Sequence, residues 1–78
     1  MFYFQIHFMF TDDIYIVRVE RSKLVAGSED AKVEARRIIE KTVFNTGNFK
    51  IKELTLVGLV SQFHFVDDIA QLEIVKHP

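Results

Sequence analysis

A chain of 78 residues with formal net charge −1, no cysteine and 49% hydrophobic residues has room for one core and no second. Such a composition excludes a disulfide framework, a thiolate zinc site and a thiolate nucleophile. Its near-zero charge supplies no global field toward nucleic acid or an anionic membrane. Disorder is excluded as well: eight phenylalanines, each able to bury on the order of 150–250 Å², offset the entropy of ordering so short a chain.

The expectation is therefore a single domain over residues 1–78, without staples, in a reducing cytoplasm. Met1 to Phe8 lacks a basic n-region, and Gln5 and His7 interrupt its apolar run at strand period, so it reads as a strand and not a signal peptide. No stretch approaches the ~20 apolar residues of a membrane span.

Phe2, Phe4, Ile6, Phe8 and Phe10 alternate with Tyr3, Gln5, His7 and Met9, the period-two signature of a half-buried strand. Thr11-Asp12-Asp13 reads as a turn and Ile14 to Glu20 as a second strand. A two-residue Asp12-Asp13 loop sets Phe10 opposite Tyr15, Phe8 opposite Val17 and Ile6 opposite Val19 on a core face. The opposite face then carries Met9 beside Ile16, His7 beside Arg18 and Gln5 beside Glu20. Arg21 to Gly27 is a connector whose Leu24, Val25 and Ala26 are expected under the sheet. Ser28 is the expected cap of a helix, with Glu29 and Asp30 in the first turn, where the helix dipole favours negative charge. Ala31, Ala35, Ile38, Ile39 and Thr42 share one helical face, while Val33 and the basic Lys32, Arg36 and Arg37 fall off it.

Asn45 to Asn48 ends the helix. From Phe49 the pattern is strand-like again, and Gly58 suggests a bulge or bend. Ser61-Gln62 is a possible turn before Phe63 to Val66, and Asp67-Asp68 is a further turn. Ala70, Leu72 and Ile74 alternate with polar or apolar partners in a final strand, for which a short helix capped by Asp67 is the competing pattern. The predicted fold is α+β: an antiparallel sheet of four or five strands, in ββαββ or ββαβββ order, with one amphipathic helix on one face.

No arrangement of reactive side chains emerges. The aspartate pairs have the composition of turns, and acid–base work needs two carboxylates converging on one bond. His7, His64 and His77 show no zinc spacing. Three isolated glycines make neither a P-loop nor a dinucleotide fingerprint. Catalytic, cofactor and metal sites are accordingly expected to be absent. What remains is surface: Met9, Ile14 and Ile16 on the back of the hairpin, beyond what a one-face core uses, beside a charged helix.

In scale and plan the chain is similar to small accessory proteins of phages and mobile elements, among them anti-CRISPR inhibitors of bacterial defence. That likeness is one of size and architecture and no motif carries it. It implies a non-enzymatic module that binds a protein partner and occludes part of a host defence complex. The residues expected to carry the contact are His7, Met9, Ile16 and Arg18 on the sheet and Arg36 and Arg37 on the helix. Homodimerisation is compatible with such a surface. The rival from another class is an RNA- or DNA-binding module using Arg18, Arg21, Lys23, Lys50 and Lys52, although the strand motif and second helix of an RNA-recognition domain are missing. A third is a small oligomeric enzyme drawing on His64, Asp67 and Asp68 at a subunit seam.

Overall fold

The alternation that opens the chain becomes an inner strand of a sheet. The computed structural model describes residues 1–43, 47–55 and 63–72. In it β1 (Phe2–Phe8) lies between β2 (Ile14–Val19) and β3 (Phe49–Leu54), and β4 (Ile69–Leu72) pairs with the other side of β2. Every neighbouring pair is antiparallel, and the strand order is β3-β1-β2-β4. Because β2 and β3 both oppose β1, they run parallel to each other, and the chain needs a crossover to return to its starting end. The helix α1 (Ser28–Thr42) supplies it and covers one face of the sheet. This is the expected α+β fold, with ββαββ order among the described residues.

Helix and sheet meet through side chains that the two periodicities bring together. Phe4, Ile6 and Phe8 of β1, Val17 and Val19 of β2, and Ala31, Ala35 and Ile39 of α1 are all buried in one cluster. Alanines at two of the three buried helical positions let the helix backbone approach the sheet, and the large rings fill the space. Phe8 meets Tyr15 edge-on at 5.8 Å and Phe49 at 5.3 Å between centroids, an arrangement favoured by the ring quadrupoles. No buried side-chain polar atom among the described residues lacks a hydrogen-bond partner.

Two expectations about the approach to the helix are corrected. Gly27, in extended conformation, occupies the N-cap position without any side-chain cap. Its carbonyl accepts from the Ala31 N–H at 3.0 Å. Ser28 is thus the first helical residue, and its hydroxyl donates instead to the Glu53 carboxylate at 2.7 Å, tying the start of α1 to β3. In the connector only Val25 packs against the core. The Val25 N–H bonds both the hydroxyl and the carbonyl of Ser22, a tight turn that leaves Leu24 89% exposed and Ala26 at the surface.

The hairpin register also differs. The observed partners are Phe2–Val19, Phe4–Val17, Ile6–Tyr15 and His7–Ile14, so Val17 faces Phe4 where a two-residue loop would place Phe8. A slip of four residues is even, so each side chain keeps its face and the inner set survives. The loop is longer than expected: the Phe8 N–H donates to the Asp13 carbonyl and the Asp12 N–H to the Phe8 carbonyl, both at 2.9 Å. Met9, Phe10, Thr11 and Asp12 form its tip. Within this loop only Asp12, at φ 62°, has left-handed backbone. Beyond β1 the pairing with the β3 side continues, the Met9 N–H donating to the Asn48 carbonyl at 3.0 Å.

The Asp67-Asp68 turn is as expected. Val66 and Ile69 exchange both backbone hydrogen bonds, at 2.8 and 3.1 Å, around a two-residue loop with Asp67 at φ 57°. The chain that follows is strand and not helix over Ile69–Leu72. Phe63 to Phe65 are not in a strand, and Val66 makes only an isolated bridge. The expectations at Gly58, Ser61-Gln62 and Ile74 lie outside the described residues.

Candidate interaction surfaces

The helix hides the inner face, so the surfaces that matter are the hairpin tip, the outer face of the sheet and the groove along the helix. At the tip, Phe10 is 93% exposed and Met9 48%. Both are apolar and adjacent, on a loop closed by backbone bonds at Phe8 and by a contact between the His7 ring and the Asp12 carboxylate. Phe10 is the functional candidate that the sequence reading missed, having been assigned to the core by parity. No local signal announced it, because alternation gives the side a residue faces and not the point where pairing stops.

The outer face carries Tyr3, Gln5 and His7 from β1, Ile14, Ile16 and Arg18 from β2, Lys50, Lys52 and Leu54 from β3, and Ala70 and Leu72 from β4. It is not bare. Ile16 is only 1% exposed, between Gln5 and Ala70 in the register, which corrects its assignment as a contact residue. Nor does His7 lie beside Arg18: it sits between Ile14 and Lys50. Phe65 rests on this face, 6.2 Å from the Tyr3 ring, and Phe63 meets Phe65 edge-on at 6.3 Å.

Arg18 serves the fold. Its Nε donates to the Asp68 carboxylate at 3.1 Å, its Nη2 to the Asp67 carbonyl at 2.7 Å, and its guanidinium carbon lies 4.6 Å above the Phe65 ring. The backbone follows, the Arg18 N–H donating to the Asp68 carbonyl at 2.9 Å. One side chain thereby holds the second turn, the incoming segment and β2 together.

The expected helix residues lie across the sheet from His7, on the face that α1 covers. Arg36 stands 5.3 Å over the Phe49 ring. Arg37 binds Glu34 through two nitrogens, Nε at 3.1 Å and Nη2 on the other oxygen. This pairing holds the Glu34 carboxyl below its usual range and raises the already high Arg37 value. Tyr15 is pushed up, first by burial and then by the Asp13 charge. An open groove runs between α1 and the β2–β4 side in two adjoining stretches of about 320 and 250 Å³, sharing Arg37, Ile38 and Asp68. Its charges are mixed and largely paired with one another, as Arg37–Glu34 and Arg18–Asp68 show.

The six expected contact residues therefore do not form one patch. Met9 is free at the tip, His7 supports the tip, Ile16 is enclosed, Arg18 is structural, and Arg36 and Arg37 belong to the helix exterior. Among the described residues no group of three or more histidine, aspartate or glutamate side chains is placed to hold a metal ion, and no helix is long and apolar enough to cross a membrane. Comparison with protein-family models, with curated proteins and with solved structures finds no match to the chain.

Proposed function

We propose that the chain is a non-enzymatic protein-interaction module that presents the tip of its first hairpin to a larger partner. The observation that carries this reading is Phe10, 93% exposed on a tip whose neighbour Met9 is 48% exposed. The fold makes no use of that ring, yet enclosing a phenylalanine in a partner is worth about 1.5–3 kcal/mol. Apolar side chains placed on a small, closed loop lose little entropy on binding. Size and plan suit an accessory protein of a phage or mobile element that works in the cytoplasm and occludes part of a host defence complex. The oligomeric-enzyme reading draws no support from the geometry, because Asp68 spends its carboxylate on Arg18 and His64 lines neither stretch of the groove that Asp67 and Asp68 border.

The test is an affinity capture from host lysate with the immobilised chain and its Phe10→Glu variant, with and without nuclease. The expected result is a specific partner retained by the parent and lost by the variant, at an unchanged thermal midpoint. Retention of the same partner by Phe10→Glu and by Met9→Glu rejects the tip as the contact. Ile16→Glu is unsuitable for this purpose, since it places a charge in the interior.

A further inference from the structure

Beyond the tip, two lysines stand together on one half of the outer sheet face. On the outer face of β1 and β3 the register sets His7 opposite Lys50, Gln5 opposite Lys52 and Tyr3 opposite Leu54. Among the described residues no carboxylate belongs to this half of the face. Glu53 has the opposite parity and accepts from Ser28, and Asp12 is turned onto His7. Lys50 and Lys52 are both exposed and, two residues apart on one strand face, stand about 7 Å from each other. That separation is comparable to the phosphate step of an extended single strand. Gln5, half-buried beside them, offers an amide group that reads base edges, while the His7 ring is held by Asp12. At one end of the face stands a ridge of rings, Tyr3, Phe65 and Phe63, at successive centroid distances of 6.2 and 6.3 Å. Arg18 covers Phe65, and Phe63 is half-exposed at the outer end of the ridge.

We infer that the β1–β3 half of the outer sheet face binds single-stranded nucleic acid, with Lys50 and Lys52 on phosphates and the Phe63 end of the ring ridge as a stacking wall. Cations at phosphate spacing, polar side chains between them and rings at the border are the elements of sequence-tolerant single-strand binding. A flat sheet face lacks the protruding element that enters a duplex groove, so the single strand is the favoured form. This site is separate from the hairpin tip and does not depend on what the tip binds.

The test uses fluorescein-labelled oligo-dT and oligo-U of about 12 nucleotides, with a labelled duplex of equal length, in anisotropy titrations on the full chain between about 50 and 200 mM salt. The expected result is binding of the single strands that weakens with salt. Lys50→Gln and Lys52→Gln should each reduce the log–log salt slope by about 0.7. Phe63→Ala should weaken binding roughly 5- to 150-fold for one stacked base. Phe10→Glu should bind the oligonucleotides as the parent does, which keeps failure of the tip distinct from failure of this site. No binding at the lowest salt overturns the inference, as does an unchanged slope in the doubly substituted Lys50→Gln/Lys52→Gln chain. A duplex bound as tightly as the single strands overturns it too.

Discussion

The two aspartate pairs of this chain make a controlled comparison. Each sits at a hairpin turn and each places one aspartate in the left-handed region, Asp12 at φ 62° and Asp67 at φ 57°. Around Asp67-Asp68 the loop has two residues, and Arg18 binds the Asp67 carbonyl and the Asp68 carboxylate. Around Asp12 the loop has four residues, and the Asp12 carboxylate contacts the His7 ring. The same dipeptide thus ends one turn in the body of the protein and projects the other, with Phe10, into solvent. Identical local chemistry permits a turn at both places, while the partners contributed by the rest of the chain decide its length and role.

The largest expected effect falls where the projecting turn meets the core. Phe8 closes that turn through its backbone and is 1% exposed between two rings. Phe8→Ala should cost about 3–5 kcal/mol, enough to unfold a domain of this size. A thermal midpoint within a few degrees of the parent would contradict the packing described here.

Next comes the fastening of the second turn. Arg18→Ala removes two hydrogen bonds and a ring contact at a half-exposed position, for an expected loss of about 1 kcal/mol after allowance for solvent screening. A chemical denaturation midpoint measured alongside Arg36→Ala, which should change little, shows whether Arg18 is structural or merely superficial.

A smaller difference separates the two left-handed aspartates. Glycine adopts positive φ freely, so Asp67→Gly should lie within about 0.5 kcal/mol of the parent, because Arg18 there holds a backbone carbonyl that glycine retains. Asp12→Gly also loses the contact with His7 and should be the less stable of the two. The reverse order in paired melting curves would show that the His7 contact does not fasten the tip.

The smallest effects depend on pH. Glu34 has its folded value depressed, so the stability it contributes is present above the ordinary glutamate range and fades as pH falls through the folded value. The pair is exposed and the effect is slight; Arg37→Gln should abolish it. Tyr15 is raised in the folded state, so stability is lost as pH climbs above about 10. Tyr15→Phe should therefore flatten the alkaline limb of a stability profile, and an unaltered limb would remove Tyr15 from that account.

Much of the inner face was legible along the chain. Phe4, Ile6, Phe8, Val17, Val19, Ala31, Ala35 and Ile39 are where period two and period 3.6 place them. The Asp67-Asp68 turn, the presence though not the length of a turn at Asp12, and the strand character of Ile69–Leu72 followed from residue type. The contact surface was less legible. Phe10 obeys the parity of its strand but stands beyond the last paired residue, and Ile16 obeys the parity of the outer face but is enclosed there. Alternation states which side a residue faces and says nothing about where pairing stops or what lies over a face. Arg18 and Asp68 are 50 positions apart in sequence, and no local pattern announces their contact.

Sequence alone determined the faces of the strands, the buried stripe of the helix and the places where the chain can turn, because backbone geometry fixes those periods within a few residues. The tertiary structure decided the hairpin register, the exposure of Phe10, the enclosure of Ile16 and the fastening of the second turn by Arg18. Those outcomes come from side chains brought together from distant positions, where packing selects among registers that the alternation permits equally.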